Sequence, residues 1–349
     1  MNNLIIKIIL RFYKFFEKEQ KSFSLHNLEN LINFVNSSKL VLFDIGSRMT
    51  NSSKSIPSRL DLLKKNSELI ICDADLSSND KTFEKLQSNG WKNINIFPHA
   101  LSNINKKFLD LYITKAAGLS STLKPNESYV KKLPNFLRND FMIIKKIEVS
   151  NKRLIDVLNE FSLEGISHID IDTQGTELDI LKSGEKIIKE SLISLSTEIS
   201  FREIYSNQCL FKDIDDYLLK FGFEIFELDR SLLLNDSDIK YSKKVLFQGD
   251  ALYFKKPDYI VKNHKDPGLD LMKLISMLFT FYHFDESLRI LNNNQYRQLI
   301  SNVYSDSKLI NLEKEIKIFS NSFNYHNKIF LKGYKFRKYI YKDRDNLQH

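Results

Sequence analysis

Apolar and polar positions change period along this chain. From Lys39 to Phe254, short β-branched and aromatic runs alternate with stretches whose apolar residues recur every three or four positions. The runs KLVLFDI (39–45), ELIICD (68–73), NINIFPHA (93–100), FLDLYI (108–113), KKIEVS (145–150), GISHIDID (165–172), LISLSTEI (192–199), FEIFELD (223–229) and GDALYF (249–254) predict strands. Between several of them, SRLDLLKK, NDKTFEKLQSN, RLIDVLNEF, ELDILKSGEKII and LFKDIDDYLLKFG predict helices. Such alternation implies right-handed crossovers and a mainly parallel sheet, hence an α/β fold. No helical run separates FEIFELD from GDALYF, so these two predict an antiparallel finish to the sheet.

Both ends read as helical. Residues 1–38 predict an amphipathic N-terminal segment, with Lys7, Arg11, Lys14 and Lys18 at helical spacing in MNNLIIKIILRFYKFFEKEQK. Beyond Pro257 the runs LDLMKLISMLFTFYHFDESLRIL and LINLEKEIKIFSNSF predict further amphipathic helices. The chain therefore divides into residues 1–38, a domain over 39–258 and a helical C-terminal appendage over 259–349. Lys7 and Arg11 cut the first apolar run far short of the roughly 20 residues that span a bilayer. The order of charge, apolar core and small-residue cleavage site that marks a secretory signal is missing. A cytoplasmic protein is expected, with residues 1–20 a candidate peripheral contact on the inner face of a membrane. Packing of the same helix against the protein's own surface suits the pattern equally.

Composition narrows the classes. Hydrophobic content of 42% and charged content of 28% belong to a globular chain, which sets disorder aside. Cys72 and Cys209 form no CxxC and no paired spacing, so neither a disulfide framework nor a zinc site is expected. HExxH, GxSxG and GxxxxGK[ST] do not occur, which removes zinc proteases, the usual serine hydrolases and P-loop NTPases. His99 and His168 have no second histidine at ligand spacing and are read as structural. No metal is expected. The net charge of +8 suits an anionic membrane, a phosphorylated substrate or nucleic acid. Lys and Asn abound throughout, so nucleic acid is not the expected partner.

The stretch richest in chemistry is IDIDTQGTELDILKSGEK, from Ile169 to Lys186. A strand ends on Asp172, a turn follows through Gln174 and Gly175, and a helix begins with Glu177 in its first turn. Open α/β sheets bind ligands where chain leaves a strand's carboxyl end. The plainer reading is an Asp-capped helix following a strand. Two more tips belong with it: VLFDIGS supplies Asp44, Gly46 and Ser47, and ELIICDAD supplies Asp73 and Asp75. In a doubly wound sheet these tips are neighbours. A glycine there lets backbone approach a nucleoside cofactor, and a carboxylate on the second tip can bind ribose hydroxyls. Taken alone, Gly46 reads first as a plain turn glycine. Ser120 and Ser121 lie in a polar turn suited to a pocket wall, and Glu198 ends a third acidic strand.

In order along the chain, these pieces resemble the FkbM family of S-adenosylmethionine-dependent methyltransferases, from about Leu40 to Phe254. The resemblance rests on DIGS (44–47), CDAD (72–75), GLSSTLKPNE (118–127), IDTQGTELDILKSGE (171–185) and STEISFREIYSNQCLFKDIDDYLLKFGFEIFELDR (196–230). It implies a Rossmann-like methyltransferase sheet with a reversed last strand, binding S-adenosylmethionine and transferring its methyl to a hydroxyl of a sugar, in a glycan or glycolipid. On that pattern Asp44, Gly46, Ser47, Asp73 and Asp75 line the cofactor crevice, with Asp73 on the ribose. Gln174 and Asp172 lie beside the methyl-transfer site, with Ser120 and Ser121 as pocket residues. Asp172 is the preferred base, and Asp170 and Glu198 are its reserves.

The chain departs from the family pattern twice. It carries Arg48-Met49-Thr50 where further glycine is usual, and Asp170 where many members have Lys. By strand alternation Asp170 and Asp172 share a side. These departures keep open a catalytically weak, scaffolding relative, and basic charge keeps open a nucleic-acid acceptor.

Overall fold

The structure is a computed structural model and describes residues 29–46, 64, 66–74, 79–233 and 243–320. Among them the β-branched runs form β1 (Val41–Ile45), β2 (Glu68–Cys72), β3 (Asn93–Ile96), β4 (Ala100–Leu101), β5 (Phe108–Thr114), β6 (Ile143–Lys152), β7 (His168–Ile171), β8 (Ser194–Ser200), β9 (Phe223–Leu233) and β10 (Val245–Lys255). Seven of these make one sheet in the order β3-β2-β1-β7-β8-β10-β9. The pairs within β3-β2-β1-β7-β8 are parallel. β10 runs antiparallel to both β8 and β9, which is the antiparallel finish predicted from the sequence. The molecule is a mixed α/β protein with a mostly parallel central sheet.

One predicted strand is divided. The run 93–100 leaves the sheet after Ile96, and Ala100–Leu101 pairs instead with β6. Pro98 explains the break, since it has no N–H to continue the ladder. β4, β6 and β5 form a separate three-stranded sheet. ELDILKSGEKII likewise becomes two helices, Glu177–Ser183 and Glu185–Glu190, joined at Gly184. A Cβ on Gly184 would lie 2.5 Å from Leu154 Cδ2, so glycine permits this close packing.

Alternation along the strands divides the interior into two cores. Phe43, Ile45, Ile169 and Ile171 face the layer that includes Leu178, Leu181 and Ile188. Leu42, Leu69, Ile71, Leu252 and Phe254 face the opposite layer, where Leu31 and Phe34 meet Leu271, Leu274, Ile275 and Leu278. The helices that follow β10, Pro257–Asn263, Pro267–Thr280, Phe284–Leu291 and Asn294–Ser301, thus join the helix Glu29–Ser37 in covering that face of the sheet. Each such Leu or Ile contributes about 1.5–3 kcal/mol by burial. A polar clasp joins the two ends of the described chain. The Glu315 carboxylate accepts from Asn30 N (3.2 Å) and Leu31 N (2.8 Å), the open first turn of the helix Glu29–Ser37.

Candidate active site

Strand order reverses where β1 meets β7, and a cleft opens at the carboxyl ends of the parallel strands there. Such a switch point is where open α/β sheets take ligands. Ile45 and Gly46 line it after β1, Cys72 and Asp73 after β2, and Asp172, Thr173 and Gln174 after β7. Ser120 and Ser121 close one side. Ser47 and Asp75 lie outside the described residues.

Gly46 is more than a turn residue. Its φ is +85°, and a Cβ would lie 2.0 Å from the Asp172 carbonyl oxygen. Its N–H donates to Cys72 O at 2.8 Å, and Asp172 N donates to Ile45 O at 3.0 Å. The three strand tips are therefore locked in one backbone arrangement. Asp73 is buried at the second tip, on the cleft wall. Asp44 is buried one residue behind Ile45, and its Oδ2 has no hydrogen-bond partner. Burial, then the Asp170, Asp172 and Asp73 charges, holds its carboxyl well above the usual range. Asp170 stands in register with Asp44 on β1 and is not among the cleft-lining residues.

The turn after β7 is built around Gln174. Its backbone adopts φ +59°, a left-handed conformation uncommon outside glycine, and its carbonyl accepts from Ser121 Oγ at 2.9 Å. Its side-chain Nε2 donates to Asp172 Oδ1 at 2.6 Å and to Glu198 Oε2 at 2.9 Å. Its Oε1 accepts from Tyr205 Oη at 3.1 Å. Gln248 Nε2 donates to the other Glu198 oxygen at 2.9 Å. Glu198 does not line the cleft, and the Gln174 amide links it to Asp172, which does. Backbone strain of this kind persists only when surrounding contacts over-determine it.

The helix-cap reading of Asp172 does not describe this turn. The residue at the N-cap of the helix Glu177–Ser183 is Thr176. Glu177, buried at 3% exposure, instead accepts from Thr173 N at 2.9 Å and Gly175 N at 3.1 Å. Carboxylate oxygens of Asp172, Glu177 and Glu198 all lie within 4.8 Å of one another. Asp172 is exposed on the cleft wall, with buried Glu177 and half-buried Glu198 behind it. Partial desolvation by the surrounding protein, tempered by its exposure to the cleft, and the Glu177 charge push its pKa up to about 6, against the lowering effect of the Gln174 hydrogen bond. Burial and the Asp172 charge raise Glu198 well above its usual range. The pair titrates as a unit. A carboxylate with a pKa near neutrality can take a proton from a hydroxyl more readily than an ordinary aspartate.

Four polar residues of this network carry no site assignment from sequence: Glu177, Tyr205, Gln208 and Gln248. Gln208 Oε1 accepts from Ile204 N and Tyr205 N, and its Nε2 donates to Ser200 Oγ at 2.9 Å, which fixes the segment bearing Tyr205. Glu177 had a signal, an acidic residue two places after a turn glycine. His99, read as structural, also lines the cleft while its Nδ1 meets Ser150 Oγ at 2.7 Å.

Residues 72–225 match the methyltransferase FkbM domain. No curated protein matches the chain. Among solved structures, an rRNA methylase from Streptococcus thermophilus aligns at 11% identity over 64% of this chain and 93% of its own, with a TM-score of 0.30. A precorrin-6y C5,15-methyltransferase from Geobacter metallireducens aligns at 10% identity, 64% and 87% coverage and a TM-score of 0.32. A methyltransferase from Streptococcus mutans in complex with SAH aligns at 12% identity, 64% and 95% coverage and a TM-score of 0.27. Superpositions this loose transfer no substrate.

Proposed function

We propose that this chain, which carries an FkbM methyltransferase domain over residues 72–225, is an S-adenosylmethionine-dependent O-methyltransferase acting on a sugar hydroxyl in a glycan or glycolipid. The observation that supports it most is the position of Asp172. It opens onto a switch-point cleft, has a pKa near 6, and is oriented by an amide from its own turn.

The residues fit the cofactor. Gly46 brings bare backbone to the cleft wall, Asp73 offers a carboxylate there suited to ribose hydroxyls, and Asp44 holds a buried oxygen without a partner just behind it. Asp44, Gly46 and Asp73 would hold it, with Ser47 and Asp75 next to them in sequence. When bound, S-adenosylmethionine supplies a methyl carbon already activated by its sulfonium. What remains for the protein is alignment, worth up to roughly 7–11 kcal/mol, and removal of the hydroxyl proton. Asp172 accepts that proton from the acceptor hydroxyl. Gln174 fixes the carboxylate, and Glu198 is a second acid that can share the proton with Asp172 through their coupling. Ser120 and Ser121 border the cleft where an acceptor would enter. Asp170, beside Asp44 and like it behind the cleft wall, takes no part in the proton transfer.

A contact of residues 1–20 with the inner face of a membrane belongs to the same reading, since it would bring the enzyme to a glycolipid. Among the described residues, no helix is long and apolar enough to cross a membrane.

Titration of the purified chain with S-adenosylmethionine, followed by labelled-methyl transfer to a glycolipid extract, tests the reading. Binding and incorporation are expected. No binding at millimolar cofactor favours a scaffolding module, and incorporation into RNA alone moves the acceptor to nucleic acid.

A further inference from the structure

The turn that closes the cleft continues into a ribbon that is apolar where it meets solvent. Lys115 N donates to Met142 O at 2.8 Å and Ala116 N to Asp140 O at 3.1 Å. The cleft-lining turn that follows Ala116 is thereby tied to the start of β6. A strand ordinarily buries one side. Here Met142, Ile143, Ile144, Lys145 and Lys146 are five exposed residues in succession, so both sides of the ribbon stand open. In the preceding helix, Asn135–Asp140, Phe136 is 67% exposed, beside 56% for Met142 and 64% for Ile144. Single exposed apolar side chains are ordinary; a cluster beside a cleft marks an interaction surface.

Charge selects the partner. Residues 104–152 carry ten Lys or Arg against four Asp or Glu, a net +6 where the whole chain has +8. Lys131 and Lys132 precede Phe136 by a few residues and Lys145 follows Ile144, and all three are exposed. A second copy of the chain would present the same positive charge and be repelled.

We propose that this ribbon and the helix before it dock on an anionic lipid bilayer. Phe136, Met142 and Ile144 enter the headgroup boundary, and the surrounding lysines face the phosphates. Docking would turn the mouth of the cleft toward an acceptor carried at the membrane surface. The docking surface stands on exposure and charge; its link to an acceptor rests on the methyltransferase reading.

The test is co-sedimentation of the full chain with vesicles of phosphatidylcholine alone and mixed with phosphatidylglycerol. Wild type should bind the mixed vesicles and lose affinity as salt rises. Met142→Asp combined with Ile144→Asp should lower partitioning at least about tenfold while circular dichroism and melting stay unchanged, since both residues are exposed. Lys131→Glu with Lys132→Glu should weaken the preference for the anionic lipid. Wild-type-like partitioning by the Met142/Ile144 variant overturns the proposal, as does failure of wild type to bind either vesicle. A dimer by light scattering that the same variant dissolves, with no vesicle binding, would make the patch a self-association face instead. Vesicle binding by a chain that does not bind S-adenosylmethionine would uphold the surface and sink the enzymatic reading.

Discussion

Gly46 and Asp172 touch backbone to backbone: a Cβ on Gly46 would sit 2.0 Å from the Asp172 carbonyl oxygen. That contact fastens the tip of β1 to the turn that carries the candidate base. Gly46→Ala is therefore expected to be costly twice over, through overpacking of about 1–3 kcal/mol and a left-handed φ worth about 1–2 kcal/mol more. Thermal unfolding should show a melting temperature lower by several degrees. A melting curve matching wild type would mean that the two tips are not held together in solution.

Asp73→Ala is expected to weaken S-adenosylmethionine binding at least tenfold. The lost interaction is a hydrogen bond from ribose hydroxyl to a carboxylate, worth about 1.5–3 kcal/mol. Isothermal titration reads it directly. Unchanged affinity would remove Asp73 from the site.

How far the site was legible in the sequence follows from how local each part is. Gly46, Asp73 and Asp172 sit at strand tips, and the tips are set by short apolar runs and the topology they imply. The role of Gln174 was only half visible. Its turn is local, but its bond to Glu198 spans 24 residues and its bond to Tyr205 spans 31, and the fold alone brings these together. Glu177 had a local signal in its place two residues after a turn glycine, but nothing in that spacing says that it is buried. The layer after Pro257 has the same character. Its helices were plain from periodicity, but the Glu315 bond to Leu31 crosses 284 residues and leaves no pattern in the sequence.

Buried Lys255 provides a pH signature away from the cleft. Its Nζ lies 4.7 Å from the Phe223 ring centre and 3.2 Å from His264 Nε2, and His264 Nδ1 meets Asp270 Oδ2 at 2.8 Å. Burial lowers its pKa to about 7, with Asp270 opposing. An unfolded lysine keeps its proton to about pH 10.4. Above pH 7 the unfolded chain therefore holds the extra proton, and stability from this group rises with pH. Urea unfolding at about pH 7 and 9 should show that rise in wild type, and Lys255→Met should flatten it. An equal slope in both proteins would show that Lys255 stays charged when folded.

Asp172→Asn separates chemistry from architecture. Asparagine keeps the shape, and its own carbonyl oxygen can still accept from Gln174 Nε2, so cofactor affinity should survive. Turnover should fall by roughly 10²–10⁴, the range for a positioned base. The wild-type rate should climb with pH through about 6, where Asp172 becomes ionised, and that limb should vanish from any residual activity of the variant. Stability runs the other way. The folded pKa is raised above the unfolded value of about 3.9, so the folded state holds the extra proton and stability from this group falls between pH 4 and 6. At neutral pH the neutral asparagine should melt no lower than wild type, and somewhat higher if the carboxylate is as crowded as Glu177 makes it. Near-normal turnover would sink the catalytic role. A lower melting temperature with turnover intact would make Asp172 a structural acid that the Gln174 turn depends on.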